Sequence, residues 1–267
     1  MPFTPAHIAA VLPLRNRWNL VFSACVVGSI APDLEYFFTF GPHTRALHTF
    51  PDVLLYAWPG AFAVLWLFHA IIKTPVLEIL PSGIQARVAP GPFRFRGWKR
   101  IALLALSISI GIATHLAWDS FTHENSVVSE HLSWERTYLE IPGAGSHQIF
   151  KWLQWGSSAL GLFLVAAVVA LWYMRTRPKR QVDATYSSVQ KVAFWTLLAV
   201  LSLPIAVRQT YLYYGHRPPL GREAAVLTLV SMMSTLSLEV LAFCVLVQAR
   251  RRWMIRERSA VSARPTL

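Results

Sequence analysis

Charge is what this sequence has least of. Only 14% of its 267 residues are Asp, Glu, Lys or Arg, against roughly 25% in an ordinary soluble domain. Apolar residues make up 54%, which is the composition of a membrane protein. Acidic residues are scarcer still, 13 against 25 basic ones, for a formal net charge of +12. In a soluble protein that excess would raise nucleic acid as a partner. Here the positive residues stand in blocks between apolar runs, without the interleaved aromatics of a strand-binding groove. They read as membrane-topology signals, and no nucleic-acid partner is expected. Cysteine is nearly absent. Cys25 and Cys244 lie far apart inside apolar runs, which excludes a disulfide framework and a zinc–thiolate site. No GxGxxG, phosphate-cradling glycine loop or GxSxG elbow occurs, so nucleotide-dependent and serine-hydrolase chemistry are set aside. There is no internal repeat and no low-complexity tract. The N-terminus lacks a basic n-region, and Arg15 and Arg17 interrupt the first apolar run, so no cleavable signal peptide is expected. FSAC at 22–25 is faintly similar to a lipoprotein cleavage site, but the apolar run before it is too short.

What is present is long hydrophobic runs. A spanning helix needs about 20 mostly apolar residues, and 52–72, 101–121, 152–174, 192–214 and 224–248 qualify. A sixth segment, 18–38, is weaker: its clean apolar part, 18–31, covers only about 21 Å at helical rise. The expected fold is all-α, a polytopic membrane bundle of five to six transmembrane helices with the first segment re-entrant or tilted. Residues 1–249 read as one integral-membrane domain and 250–267 as a basic, disordered tail. The loops 73–100 and 175–191 carry arginine and lysine, and the tail carries arginine. Five alternating spans put all three on one side, which the positive-inside rule makes cytoplasmic. The expected location is the bacterial cytoplasmic (inner) membrane, with the C-terminus cytoplasmic.

Within this apolar chain, GIATHLAWDSFTHEN at 111–125 stands out. His115 and Asp119 are four apart and share one helix face; two ligands at that spacing can grip one metal ion, as paired histidines do in HExxH helices. His123 extends the same stripe if the helix continues. A carboxylate near hydrocarbon is expensive unless partnered. An interfacial helix end, where polar residues are common, is the plain alternative. Asp33, beside Pro32 in SIAPDLEYF, and His48, in ALHTF, fall near the same outer face in the charge-derived topology. Imidazole and carboxylate are the usual donors for zinc or a similar divalent ion. Arg208, in the outer part of 192–214, is an intramembrane arginine suited to bidentate phosphate contact; a structural ion pair is the alternative. Glu239 lies about 10 Å from it in depth, too far for a direct pair. His69 reads as structural. Glu124, Glu130, His131 and Glu135 read as a solvated loop, with Glu124 a further candidate for the metal shell.

The motifs MPFTPAHIAAVLPL, GSIAPDLEYF, ALHTF and HLAWDSFTHEN, followed by KWLQWGSSALGL, resemble the bacterial DUF4184 family. That family is similar to the YdjM-type (DUF457) inner-membrane metal-dependent hydrolases, and both remotely resemble the zinc-dependent phospholipase C and P1 nuclease superfamily. The resemblance implies a helical fold holding one or two divalent ions, with zinc the expected metal. It implies that His7 matches an early histidine that binds zinc together with the N-terminal residue. Asp33 and His48 match the ligands of a neighbouring zinc. His115 and Asp119 match the HxxxD pair, with Asp119 bridging two metals, and His123 or His131 matches a further histidine. The superfamily's second histidine-plus-acid pair has its nearest match at His147, but the position four on is Lys151, which argues against a three-metal cluster.

The expected function is a metal-dependent hydrolase of a phosphoester, lipid-like substrate at the outer membrane interface, with membrane lipids as its surroundings and Asp119 and Arg208 in catalytic roles. The alternatives are a transporter or metal-handling protein, and a membrane protein with a purely structural metal. His7 poses a geometrical problem: if 18–38 spans fully, His7 and Asp33 lie on opposite sides. A helical hairpin over 5–31 removes the conflict, with Arg15, Asn16 and Arg17 at its turn.

Overall fold

Proline and glycine set the breaks in this helical chain. The computed structural model describes residues 3–39, 49–88, 91–124, 126–143, 145–179, 181–182, 185–215 and 221–262. Helix α1, Thr4–Leu14, is opened by Pro5 and tightened at Pro13. The chain then reverses. Asn16, Trp18 and Asn19 take φ of 63°, 49° and 54°, a left-handed region that asparagine tolerates better than most residues. Helix α2, Phe22–Ile30, packs back on α1. At about 13 Å it is too short to cross a hydrocarbon core of about 30 Å. The weak segment 18–38 is therefore half of a helical hairpin rather than a span. Pro32 converts the end of α2 into a tight turn, Ala31–Asp33, followed by α3, Leu34–Thr39.

Five later helices are long and apolar enough to cross a membrane, so the chain is a multi-pass helical membrane protein. They are α4, Phe50–Ile79; α6, Trp98–Thr122; α8, Ile149–Arg175; α9, Ser188–Tyr213; and α10, Arg222–Ser262, whose apolar stretch lies within Ala224–Arg258. All five match the runs expected from sequence. Short α5, Ser82–Arg87, and α7, Val127–His131, fill two connections. The connection between α6 and α8, a loop by sequence, also holds a two-stranded antiparallel hairpin, β1 Tyr138–Ile141 and β2 Gly145–Gln148. In α4, wide π turns at Val53–Ala57 and Phe68–Ile72 come just before Pro59 and Pro75, where each ring crowds the preceding turn and removes a donor.

The helices pack as two compact units. The first comprises Met1–Glu35, Arg45–Leu65 and Arg94–Thr176; the second comprises Tyr36–Thr44, Trp66–Phe93 and Arg177–Leu267. In the first unit α2 and α6 touch backbone to backbone. A Cβ at Gly28 would lie 2.3 Å from the Ile108 carbonyl oxygen, and one at Gly111 would lie 2.3 Å from that of Cys25. Only glycine permits that approach. Val21 N–H donates to Ser107 Oγ at 3.0 Å across the same seam. Helix α8 meets α1 the same way: a Cβ at Gly161 would lie 2.7 Å from the Ala6 carbonyl oxygen, and Phe3 N–H donates to Ser158 Oγ at 2.9 Å.

In the second unit, the part of α4 from Trp66 onwards packs with α9 and α10. Pro75 removes the N–H that the Ile71 carbonyl would accept, and Gln248 Nε2 donates to that carbonyl instead, at 3.4 Å. Ser202 donates to the Glu239 carboxylate at 2.8 Å, giving that intramembrane acid a partner other than Arg208. The sequence reading ended the last helix near 249; α10 instead runs on to Ser262. Its arginine-rich continuation has good helix propensity, and an Arg251–Glu78 ion pair ties it to α4. Cys25 and Cys244 are both free and buried.

Candidate metal centre

The backbone contact between α2 and α6 brings Asp33 and His115 together. Asp33 sits in the proline turn just beyond α2, and His115 lies one helical turn after Gly111. Both are fully buried, with His115 Nε2 3.7 Å from Asp33 Oδ1. His115 Nδ1 lies 2.8 Å from the Ser29 carbonyl oxygen. A carbonyl only accepts, so Nδ1 carries a proton and Nε2 is the nitrogen that faces the carboxylates. This outer contact fixes the tautomer a metal-binding histidine needs. Asp33 is oriented in turn: Thr4 Oγ1 donates to its Oδ2 at 2.7 Å.

Helix α1 supplies the third side. His7, 4% exposed, stacks on His115 with ring centroids 3.9 Å apart and planes at 21°. His7, Asp33 and His115 each offer a ligand atom within 4.8 Å of the others, a group able to hold a metal ion. The hairpin therefore puts His7 and Asp33 at one place, which a full span over 18–38 would not.

Asp119 closes the group from the next turn of α6. Its Oδ2 lies 3.0 Å from His115 Nε2, and its Oδ1 lies 3.4 Å from His7 Nε2. The carboxylate thus faces both imidazoles with separate oxygens. The stripe does not continue as helix: α6 ends at Thr122, and His123 takes extended φ and ψ. His123 nevertheless turns back, with Nδ1 3.5 Å from Asp119 Oδ1 and a side chain 26% exposed. The helix end is finished by Ser126. Its Oγ is within hydrogen-bond reach of the Ser120 and His123 carbonyls at 2.6 and 2.9 Å, and it accepts from Ser129 N–H at the start of α7.

Of the other candidates, His48 lies outside the described residues. Arg208 is exposed on α9 in the second unit, while His7, Asp33, His115, Asp119 and His123 all belong to the first. Glu124 and His131 are exposed. His147, on β2, lies edge-on to Trp152 and Trp155, in an aromatic cluster of its own. His69 stacks on Phe93 at 3.6 Å. Sequence reasoning missed Thr4 and the Ser29 carbonyl. A threonine and a backbone oxygen carry no signal by type, although Thr4 stands three residues before His7, where a helical turn brings the two to one side.

Two histidines and two aspartates, with both imidazole Nε2 atoms turned towards the Asp119 carboxylate, form a nitrogen–oxygen donor set of the kind that holds divalent ions. No curated protein and no solved structure matches the chain. A family described as a domain of unknown function, DUF4184, matches residues 1–246. The chain belongs to the DUF4184 family.

Proposed function

We propose that this protein is an integral-membrane, metal-dependent hydrolase whose substrate is a phosphoester, most naturally a lipid, met at the outer interface of a bacterial cytoplasmic membrane. The observation that carries the proposal is the buried convergence of His7, Asp33 and His115 with Asp119 facing both imidazoles. Four such groups in a membrane-embedded unit are costly to bury without a shared cation. The same convergence supports the resemblance to the YdjM-type hydrolases and the zinc-dependent phospholipase C and P1 nuclease superfamily. Five spans, with basic residues between α4 and α6, between α8 and α9 and beyond α10, agree with a cytoplasmic C-terminus. The α1–α2 hairpin then lies on the outer side with the end of α6.

His7, Asp33, His115 and Asp119 would hold the ion. A bound divalent ion supplies Lewis acidity, polarising a phosphoryl oxygen and acidifying water. The chain's own residues do the rest. Ser29 and Thr4 hold His115 and Asp33 in place. Asp119 is the more exposed of the two carboxylates, and the partly exposed His123 beside it marks the way in. Arg208, exposed near the end of α9, enters only as a guanidinium suited to a lipid phosphate.

One observation favours a second reading, a structural ion. Three of the four donors are at most 4% exposed and Asp119 is 5% exposed, and closed four-ligand sites are the structural kind. The test is hydrolysis of bis(p-nitrophenyl) phosphate and of phosphatidylglycerol in mixed micelles, before and after chelation and zinc return. Turnover lost on chelation, restored by zinc and missing in Asp119→Ala supports the hydrolase. Bound zinc with no turnover, and a melting temperature that falls on chelation, moves the assignment to a structural ion.

A further inference from the structure

The second unit holds a buried cation that the metal centre does not use. Lys191, one turn into α9, is 5% exposed. Among the described residues its ammonium has one hydrogen-bond partner, Ser82 Oγ at 3.2 Å, and no ion-pair partner. An ammonium has three donors, and a buried charge is strongly unfavourable unless it is paired.

Among the described residues, the surroundings are built and are short of acid. Trp195, one turn along α9 on the same face, donates Nε1–H to the Ile79 carbonyl at 3.1 Å. Lys191 and Trp195 thus straddle the turn that joins α4 to α5. Gln85, itself 4% exposed, donates to the Glu78 and Leu80 carbonyls at 2.9 and 2.7 Å and fixes that turn from the other side. Lys179 N–H donates to the Ala86 carbonyl at 2.7 Å, which draws a second basic residue to α5, next to Arg87. The neighbouring acid, Glu78, is engaged by Arg251. Ser82 is exposed, so the ammonium can be reached where its one hydroxyl partner sits. A tryptophan beside a lysine at the end of a membrane-spanning helix is the pattern of the headgroup level.

We propose that Lys191 and Ser82 form a binding site for a phosphate-bearing anion, the phosphodiester of an anionic lipid or free phosphate. The phosphate oxygens take the two remaining ammonium donors, and the Ser82 hydroxyl can turn to donate to them as well. Both residues lie in the second unit, and neither is one of the residues assigned to the metal centre.

The test uses the full chain purified in detergent. Native mass spectrometry measures retention of phosphatidylglycerol, with diacylglycerol as the phosphate-free control, and thermal melting is followed with and without each additive. Wild type should retain phosphatidylglycerol at least about tenfold more tightly than Lys191→Met, Lys191→Arg should keep most of the binding, and diacylglycerol should show no such difference. Added sodium phosphate serves as the second arm. If it displaces the lipid in a Lys191-dependent way the ligand is free phosphate; if it does not, the ligand is the lipid headgroup. In lipid-free detergent Lys191→Met should melt no lower than wild type, because it removes a charge without a counter-ion. Equal retention of phosphatidylglycerol by wild type and Lys191→Met, or a Lys191→Met protein that melts lower without lipid, overturns the proposal.

Discussion

Replacing Gly111 by alanine should damage the metal centre without touching a ligand. The added Cβ would lie 2.3 Å from the Cys25 carbonyl oxygen, 2.7 Å from Ser29 N and 2.9 Å from the Gly28 carbonyl carbon. All three are backbone atoms of α2, so no side chain can swing away. Contacts under 3.0 Å are essentially never seen for a real Cβ, so the two helices must part by about 0.7 Å or more. The Ser29 carbonyl that holds His115 Nδ1 at 2.8 Å sits on the backbone that must retreat. A separation of that size carries the hydrogen bond to about 3.5 Å, the edge of what counts as one. Overpacking of this kind costs about 1–3 kcal/mol, and losing an outer contact of a metal-binding histidine lowers metal affinity about 10–100-fold. Gly156→Ala is the control. A Cβ there meets nothing within 4 Å, and alanine improves helix propensity by up to about 1 kcal/mol. Zinc titration and thermal melting of the two variants in detergent decide the matter. If Gly111→Ala binds zinc and melts like Gly156→Ala, the backbone contact between α2 and α6 does not position the site.

Two further substitutions probe groups around the two units' cores. Thr4→Val removes the donor to Asp33 Oδ2; zinc affinity should fall by about tenfold or more, whereas Thr4→Ser, which keeps the hydroxyl, should restore most of it in the same titration. Ser202→Ala removes the donor to Glu239; interhelical hydrogen bonds of this kind average about 0.6 kcal/mol in membranes, so thermal melting should show a small loss and zinc binding should not change.

The spans were legible because the bilayer demands long apolar runs, and 101–121 or 152–174 have no other reading. Asp33, His115 and Asp119 were legible because ionisable groups are rare in such runs and each one is conspicuous. His7 was harder to place. Its position depends on whether 18–38 crosses the membrane, and that turned on a difference of a few residues in apolar length and on the left-handed turn at Asn16, Trp18 and Asn19. The close approach at Gly28, Gly111 and Gly161 was not legible, since glycine in an apolar helix carries no label saying which partner it meets. Ser29 acts through its backbone, which the sequence does not distinguish. Past residue 249 the basic composition read as a solvated tail, whereas arginine's helix propensity and the Arg251–Glu78 pair keep it helical. Arg208 was conspicuous by type and depth, and it lies exposed on α9 in the second unit.

The central claim is that His7, Asp33, His115 and Asp119 share a divalent ion. Elemental analysis of the full chain, purified in detergent and equilibrated with zinc, measures this directly. The account predicts one to two equivalents of metal in the unmutated protein, and little or none in His115→Ala and Asp119→Ala. Metal-free wild-type protein, or metal retained in full by both variants, would contradict it.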